Sequence, residues 1–299
     1  MRKVQKTNKN LLVGLLFAAP AILGFVILNV IPMIASLILS FSNYSGFNSP
    51  TFIGLTNYKK MFGGSDLFFL KSLLSTGYYT LLNVPISLIF SFGLAVLLNS
   101  KIKGRGFFRS VFYLPTLVPV VASSMIWLWL LNPDTGFINQ TLSSLHLPTG
   151  TWLYAESTVI PTIVLIGLWT TGGTMLIFLA GLQGIPSQYY EAIAIDGGNN
   201  YHKLINITIP LMTPTIFFNA IMAIIGSFQI FTQAYILTQG GPNNASLFYA
   251  FYLYREAFKN SNMGYASALA WILFAIIAFF SYFVLKTQNK WVYYEGGEK

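Results

Sequence analysis

The sequence predicts an all-α, polytopic membrane protein with six transmembrane helices and a polar helical hairpin between the fourth and fifth of them. Three observations carry that prediction. Apolar side chains make up 55% of the chain and charged ones 8%, with a mean hydropathy of +0.62, which no ordinary soluble domain shows. The apolar residues fall into six stretches, each long enough for the roughly 20-residue helix that crosses a bilayer. Lys and Arg gather at the ends of those stretches, with a strong excess on alternate sides.

The first stretch, Leu11 to about Phe41, follows a basic segment, residues 1–10, with Arg2, Lys3, Lys6 and Lys9. A cleaved signal peptide is the competing reading, because Ala19 and Ala21 flank Pro20. The apolar run continues about 20 residues past them, too far for a signal core, so a first span is expected. Pro20 and Pro32 inside it predict kinks or a broken helix. Asn43–Asp66 is polar and turn-rich and includes FIGLTNYKKMF at Phe52–Phe62. The second span is expected at about Leu73–Leu98, with Asn83 and Pro85 inside it, followed by the basic cluster Lys101, Lys103, Arg105 and Arg109.

The third span is expected over Val111–Leu131, a stretch holding Pro115, Pro119, Trp127 and Trp129, and the fourth over Val159–Leu182. Between them, Asn132–Glu156 contains neither lysine nor arginine. The fifth, Thr215–Leu237, exits through the turn-dense LTQGGPNNAS. Phe248–Lys259 is expected as an amphipathic interfacial piece, and Tyr265–Leu285 as the sixth span, leaving residues 286–299 as a tail.

The hairpin, Ser187–Pro214, is the polar island on which the function turns. Ser187 is a good helix N-cap after Pro186, and Glu191 is expected in the first turns, where a helix tolerates negative charge best. Asp196-Gly197-Gly198 stops that helix, since glycine enters the left-handed region without a clash. A second helix from about Asn199 to Ile209 is expected to end at Pro210 and Pro214. With six spans, the segments on the hairpin's side hold 12 Lys/Arg against 5 opposite, which puts both termini and the hairpin in the cytoplasm.

Composition excludes several classes of function. No cysteine means no disulfide or thiolate site, and His146 and His202 lack ligand spacing. The net charge of +9 sits at span ends, which argues for membrane orientation and against nucleic acid. No G-x-x-x-x-G-K-[ST] phosphate loop is present, so ATP hydrolysis and its Mg²⁺ belong elsewhere and this chain is expected to be neither an enzyme nor a cofactor carrier. The expected spans hold no ionisable residue away from their ends, which disfavours an ion-coupled carrier. The uncharged polar residues are then where a solute would be met. Gln229 and Gln233, four apart, are expected to share a helix face. Trp169 and Tyr235, with Phe228 and Phe231, could offer the aromatic surfaces that sugars stack on. Two readings stay open for the glutamines: contact with a sugar, or hydrogen bonding between helices.

The spacing Glu191-Ala192, Gly197, then Ile207-Thr208-Ile209-Pro210 after nine intervening residues resembles the EAA loop of ATP-binding-cassette importer permeases. Ile193 stands for the second alanine of that pattern and Ile209 for its leucine. Phe52, Gly54, Asn57 and Tyr58, the GGP of Gly240–Pro242 and the aromatic tail are similar to segments of the carbohydrate-type permeases, near the maltose and glycerol-phosphate systems. The resemblance implies a six-span permease domain over 11–285 in a bacterial or archaeal inner or plasma membrane. It implies a second, related permease subunit, two cassette ATPases beneath and an extracytoplasmic solute-binding protein above. It further implies sugar translocation by alternating access. Glu191, Ala192, Asp196, Gly197, Ile207 and Pro210 would form the ATPase-coupling set. An ion-driven sugar carrier or facilitator, and a sensor built on a degenerate permease fold, are the rivals. The sequence leaves open the particular sugar, or glycerol phosphate in its place.

Overall fold

The computed structural model describes residues 2–100 and 102–293, for residues 2–12 the backbone alone. Lys101 of the basic cluster and the last six residues of the tail therefore lie outside the described residues. Helices dominate: α1 (Arg2–Phe25), α2 (Ile31–Ser40), α3 (Thr56–Phe62), α4 (Leu67–Asn99), α5 (Arg105–Tyr113), α6 (Val120–Leu130), α7 (Phe137–Ser144), α8 (Glu156–Trp169), α9 (Gly172–Gln183), α10 (Ser187–Ile195), α11 (Asn200–Lys203), α12 (Ile209–Phe228), α13 (Tyr249–Tyr254) and α14 (Met263–Trp291). A two-residue antiparallel pair, β1 (Ser42–Asn43) with β2 (Thr51–Phe52), is the sheet among the described residues.

Four helical segments are long and apolar enough to span a membrane: Val13–Ser40, Leu67–Asn99, Asn200–Phe228 and Met263–Trp291. Two bent pairs bring the number to six if each counts as one span. The expected third span is not one rod, because Arg105–Leu117 and Val120–Leu130 meet at 100°. The cause is Pro119, which holds Val118 extended at ψ 126°. The expected fourth span is likewise two helices, Glu156–Trp169 and Gly172–Gln183, bent by 54° at Thr170–Thr171. In the first span the expected break does not occur. A π turn, Val26–Val30, sits just ahead of Pro32, and its wider bonding takes up the missing N–H, so the helix continues.

The chain divides into two compact units. One comprises the segment through Asp66 together with Leu253–Ile272. Here the side-chain amide of Asn57 donates to the carbonyls of Ser40 (2.9 Å) and Ser42 (3.1 Å), satisfying the chain as it leaves α2. The Tyr58 hydroxyl meets Ser40 Oγ at 2.8 Å. The Asn-Tyr of the FIGLTNY segment thus caps the end of the first span. The Tyr265 hydroxyl donates to the buried Asp66 carboxylate while Lys60 Nζ lies 4.2 Å from the Tyr265 ring.

The second unit comprises Leu67–Tyr252 and the chain from Leu273 on. Its core joins α4, α9 and α12 through Ala95, Leu98, Met175, Phe178, Leu179, Leu182 and Met212. Arg109 extends back to donate to the Leu98 carbonyl at 2.8 Å, closing the end of α4. Phe248–Tyr252, expected to lie at an interface, is instead in this core: Phe248, Tyr249 and Phe251 are fully buried. Phe248 packs on Tyr79 with ring centroids 5.2 Å apart, and the Tyr249 N–H donates to Thr76 Oγ1 at 2.8 Å. The sixth helix also runs further than its hydropathy suggests, to Trp291, so the tail proper begins later than residue 286.

Candidate functional site

The hairpin forms as two helices, with its details shifted. Ser187 is not the cap but the first helical residue of α10; Pro186, extended at ψ 137°, holds the cap position. Glu191 is consequently the fifth of nine residues, beyond the first turn, so the helix dipole is not what favours its charge there. Its side chain is exposed, as are Ala192, Ala194, Ile195 and Asp196. Asp196 ends the helix, and Gly197 follows at φ +78°, a conformation glycine takes freely. Two bonds close the end, Gly197 N–H to the Ala194 carbonyl at 3.2 Å and Gly198 N–H to the Ile193 carbonyl at 2.8 Å. A side chain at Gly198 would come within 3.0 Å of Ile193 Cγ2. Ile193, the position that departs from the family pattern, therefore covers the turn from within, while its neighbours face outward.

Asn199 starts the second helix with a capping box: its Oδ1 accepts from the N–H groups of Tyr201 (3.0 Å) and His202 (3.1 Å), and its own N–H donates to His202 Nδ1 (3.4 Å). The expected stop at Pro210 and Pro214 does not occur. A π turn, Leu204–Thr208, leads straight into α12, and the helical run is continuous over Asn200–Phe228. Pro214 removes the donor that the Pro210 carbonyl would use, and Thr213 Oγ1 supplies one at 2.6 Å. The two halves of the hairpin are tied by Tyr190 Oη and Thr208 Oγ1 at 3.1 Å.

The coupling set expected from the sequence therefore separates into two groups. Glu191, Ala192, Asp196 and Gly197 lie on an exposed knob, beside Ile195 (86% exposed) and Tyr201 (66% exposed). Ile207 is buried and Pro210 half-buried at the root, where both line a cleft of about 220 Å³ with Tyr189, Asn206, Leu211 and Tyr293. An exposed surface of two carboxylates and two large apolar groups, on a hairpin with a fixed turn, is suited to seating in a groove that carries a basic residue.

The glutamine face does not form. α12 ends at Phe228, with Gln229 in the cap position at φ −100°, ψ 13°, and helical structure resumes only at Thr232. Gly226 weakens the last turn, and the two residues after it are held by neighbours. Ser227 Oγ accepts from the Asn83 amide at 2.9 Å, and Phe228 stacks on Phe280 at 5.4 Å. Gln229 is exposed and Gln233 half-buried, and among the described residues neither amide has a side-chain hydrogen-bond partner. Trp169 is the last residue of α8 and sits edge-on to Trp127 at 5.8 Å. Tyr235 stacks on Phe231 at 5.6 Å and turns its edge to Phe251 at 6.0 Å. α6 packs against the π turn Ala234–Thr238 that carries Tyr235. Thr170 and Thr171 bond back to the Gly167 and Leu168 carbonyls at 3.0 and 2.8 Å, finishing α8.

Sequence reasoning named Asn83 only in passing; it proves to link α4 with α12 beside the break at Gln229. A single amide in an apolar run was the available signal. Among the described residues no group of three or more His, Cys, Asp or Glu gathers as a metal site would require.

Residues 67–292 match the model of the family described as binding-protein-dependent transport system inner membrane component. The chain is 41% identical, over its full length and 97% of the relative, to a probable ABC transporter permease protein, YesP, of Bacillus subtilis. It is 32% identical, over 90% of its length and 85% of the relative, to AraP of Halalkalibacterium halodurans, an arabinooligosaccharides transport system permease protein. It is 33% identical, over 87% of its length and 89% of the relative, to MsmF of Streptococcus mutans, a multiple sugar-binding transport system permease protein. The fold matches, at a TM-score of 0.84 and 19% identity, a chain of a bacterial alginate ABC transporter crystallised with an alginate pentasaccharide-bound periplasmic protein, covering 97% of this chain and 98% of that one.

Proposed function

The chain belongs to the family of binding-protein-dependent transport system inner membrane components, and from that we propose that it forms half of the translocation path of an ATP-driven importer for a sugar, most simply an oligosaccharide. It is a multi-pass permease component of an inner membrane. The cargo reading is supported by the names of relatives that align over most of their length: arabinooligosaccharides, starch degradation products and multiple sugars.

The single observation that carries the mechanism is the exposed knob at Glu191–Gly197, held by a capped, glycine-closed turn on a helix that continues without a break into a span. An ATPase seated there moves α12 when it closes. In the assembly we infer, a second related permease completes the path, two cassette ATPases dock beneath, each with ATP and Mg²⁺, and an extracytoplasmic solute-binding protein delivers the sugar. Both termini of this chain face the cytoplasm, as the distribution of Lys and Arg supports. Glu191 is the charged contact to the ATPase, and Ala192 and Gly197 let its surface approach.

Within the proposed spans, the regular helix is interrupted just after Trp169 and at Gln229, two of the residues expected to meet a sugar, and the Gln229 and Gln233 amides have no side-chain partner among the described residues. Irregular backbone at such depth is stable where it lines a cavity or is buried in protein. A thermal-shift screen of the cognate solute-binding protein against sugars, amino acids, peptides and glycerol phosphate tests the cargo. A selective shift by an oligosaccharide supports the reading; a selective shift by an amino acid or peptide contradicts it.

A further inference from the structure

Two residues at the end of the sixth helix, Trp291 and Tyr293, are fastened to α12 where it leaves the hairpin. Trp291 closes α14 with its ring edge-on to Phe217 of α12, centroids 5.8 Å apart. The chain then leaves the helix, and the backbone N–H of Tyr293 donates to Thr213 Oγ1 at 2.8 Å. That hydroxyl in turn donates to the Pro210 carbonyl at 2.6 Å, the acceptor that Pro214 leaves unused. A relay of two hydrogen bonds therefore runs from the tail to the first turn of α12. Tyr293 also forms one wall of the cleft whose other walls are Tyr189, Asn206, Ile207, Pro210 and Leu211, from both halves of the hairpin.

The placement matters because of what lies between the hairpin and its span. The link is the π turn Leu204–Thr208, a geometry that interrupts regular bonding and lets a helix yield locally. Motion delivered to α10 would be partly absorbed there. The tail is attached past that turn, at Thr213 and Phe217, and Tyr293 faces Tyr189 and Asn206 across the cleft beside it.

We propose that Trp291–Tyr293 act as a strap that bridges the π turn and carries the hairpin's displacement into the sixth helix, so that the ATPase drives two helices of this chain. The strap rests on the reading of the hairpin as the ATPase contact. Trp291, Tyr293 and Thr213 are then positioning residues that touch neither sugar nor nucleotide.

The test uses the complete transporter, reconstituted with its partner subunits and binding protein. Tyr293→Pro removes the N–H donor and leaves the Thr213–Pro210 bond in place, whereas Thr213→Val removes both. In each, ATPase retention and basal hydrolysis stay at the wild-type level. The ratio of binding-protein-stimulated to basal hydrolysis, and uptake with it, falls about fivefold in Tyr293→Pro, the effect of one ordinary hydrogen bond, and at least as far in Thr213→Val, which loses two. Thr213→Ser restores the ratio, and truncation after Tyr293 leaves it unchanged. An unchanged ratio in Tyr293→Pro overturns the strap, as does truncation after Tyr293 acting as severely as that variant. Should Tyr293→Pro fail to assemble, Trp291→Ala carries the same measurement, and failure of both to assemble assigns the tail a purely structural role and rejects the proposal. Failure of the hairpin reading itself is read separately, as normal ATPase retention in Glu191→Ala.

Discussion

Glu191 stands mid-helix on an exposed face, with Ala192 and Ala194 keeping the surface around it low. Among the described residues no hydrogen bond or ion pair engages that carboxylate, and the proposed use for it is in what docks against it. Truncating one partner of a charge pair buried at an interface costs about 2–5 kcal/mol, a loss of roughly thirtyfold or more in docking. Glu191→Ala therefore inserts and folds normally but loses ATPase on co-purification, with stimulated hydrolysis and uptake falling together. Normal retention and uptake in this variant count against Glu191 as the coupling contact. Gly197 acts for a different reason. A Cβ there meets nothing within 4 Å, so the demand is the positive φ and not space within the chain. Gly197→Val, strained by about 1–2 kcal/mol or more, uncouples the ATPase, while Gly197→Asn, which tolerates that region, retains most of the activity. Equal loss in both shows that the seating surface, not the turn, requires glycine. The turn was legible in Asp196-Gly197-Gly198 because helix ends are local. The role of Ile193 was not, since its contact with Gly198 arises only once the turn has closed.

At the level of elements, the apolar stretches were read correctly as helices and their interiors were not. A hydropathy window averages over direction, so it is blind to a 100° bend between two apolar halves. Proline marks a donor lost but not the repair. Pro32 and Pro210 each follow a π turn and leave the helix continuous, whereas Pro119 breaks it because Val118 and Pro119 are both extended. The glutamine pair failed for the same reason: the four-residue spacing implies one face only if the helix persists, and it ends at Phe228. Gly226 in the last turn is the sequence signal for that end. Gln229 and Gln233 now stand on different elements, with no partner among the described residues, so hydrogen bonding between helices of this chain is not their use. Replacing both with leucine lowers sugar uptake roughly thirtyfold, two hydrogen bonds' worth, while assembly and basal hydrolysis persist. Dissociation of the complex in that variant assigns the amides to a subunit interface.

For the whole molecule, the account requires the hairpin and the GGP loop to lie on opposite sides of the membrane. The natural absence of cysteine makes this directly testable. Asn244→Cys reacts with an impermeant thiol reagent in intact cells, and Asn200→Cys reacts only after permeabilisation; the reverse pattern overturns the topology and the docking argument with it. The expectation rests on charge bias, because Lys and Arg at span ends bias orientation whatever the helices do between them. The tail's attachment to Thr213 was not legible, since it joins residues 80 apart through a backbone donor that carries no sequence signature. The central claim is that the energy for transport enters through partners at the hairpin. Its most direct measurement is uptake of labelled oligosaccharide into proteoliposomes holding this chain with its partner permease, with and without the ATPases, ATP and the binding protein. Uptake that requires all three is the expected result, and sugar entry of equal rate without ATPase or ATP would contradict it.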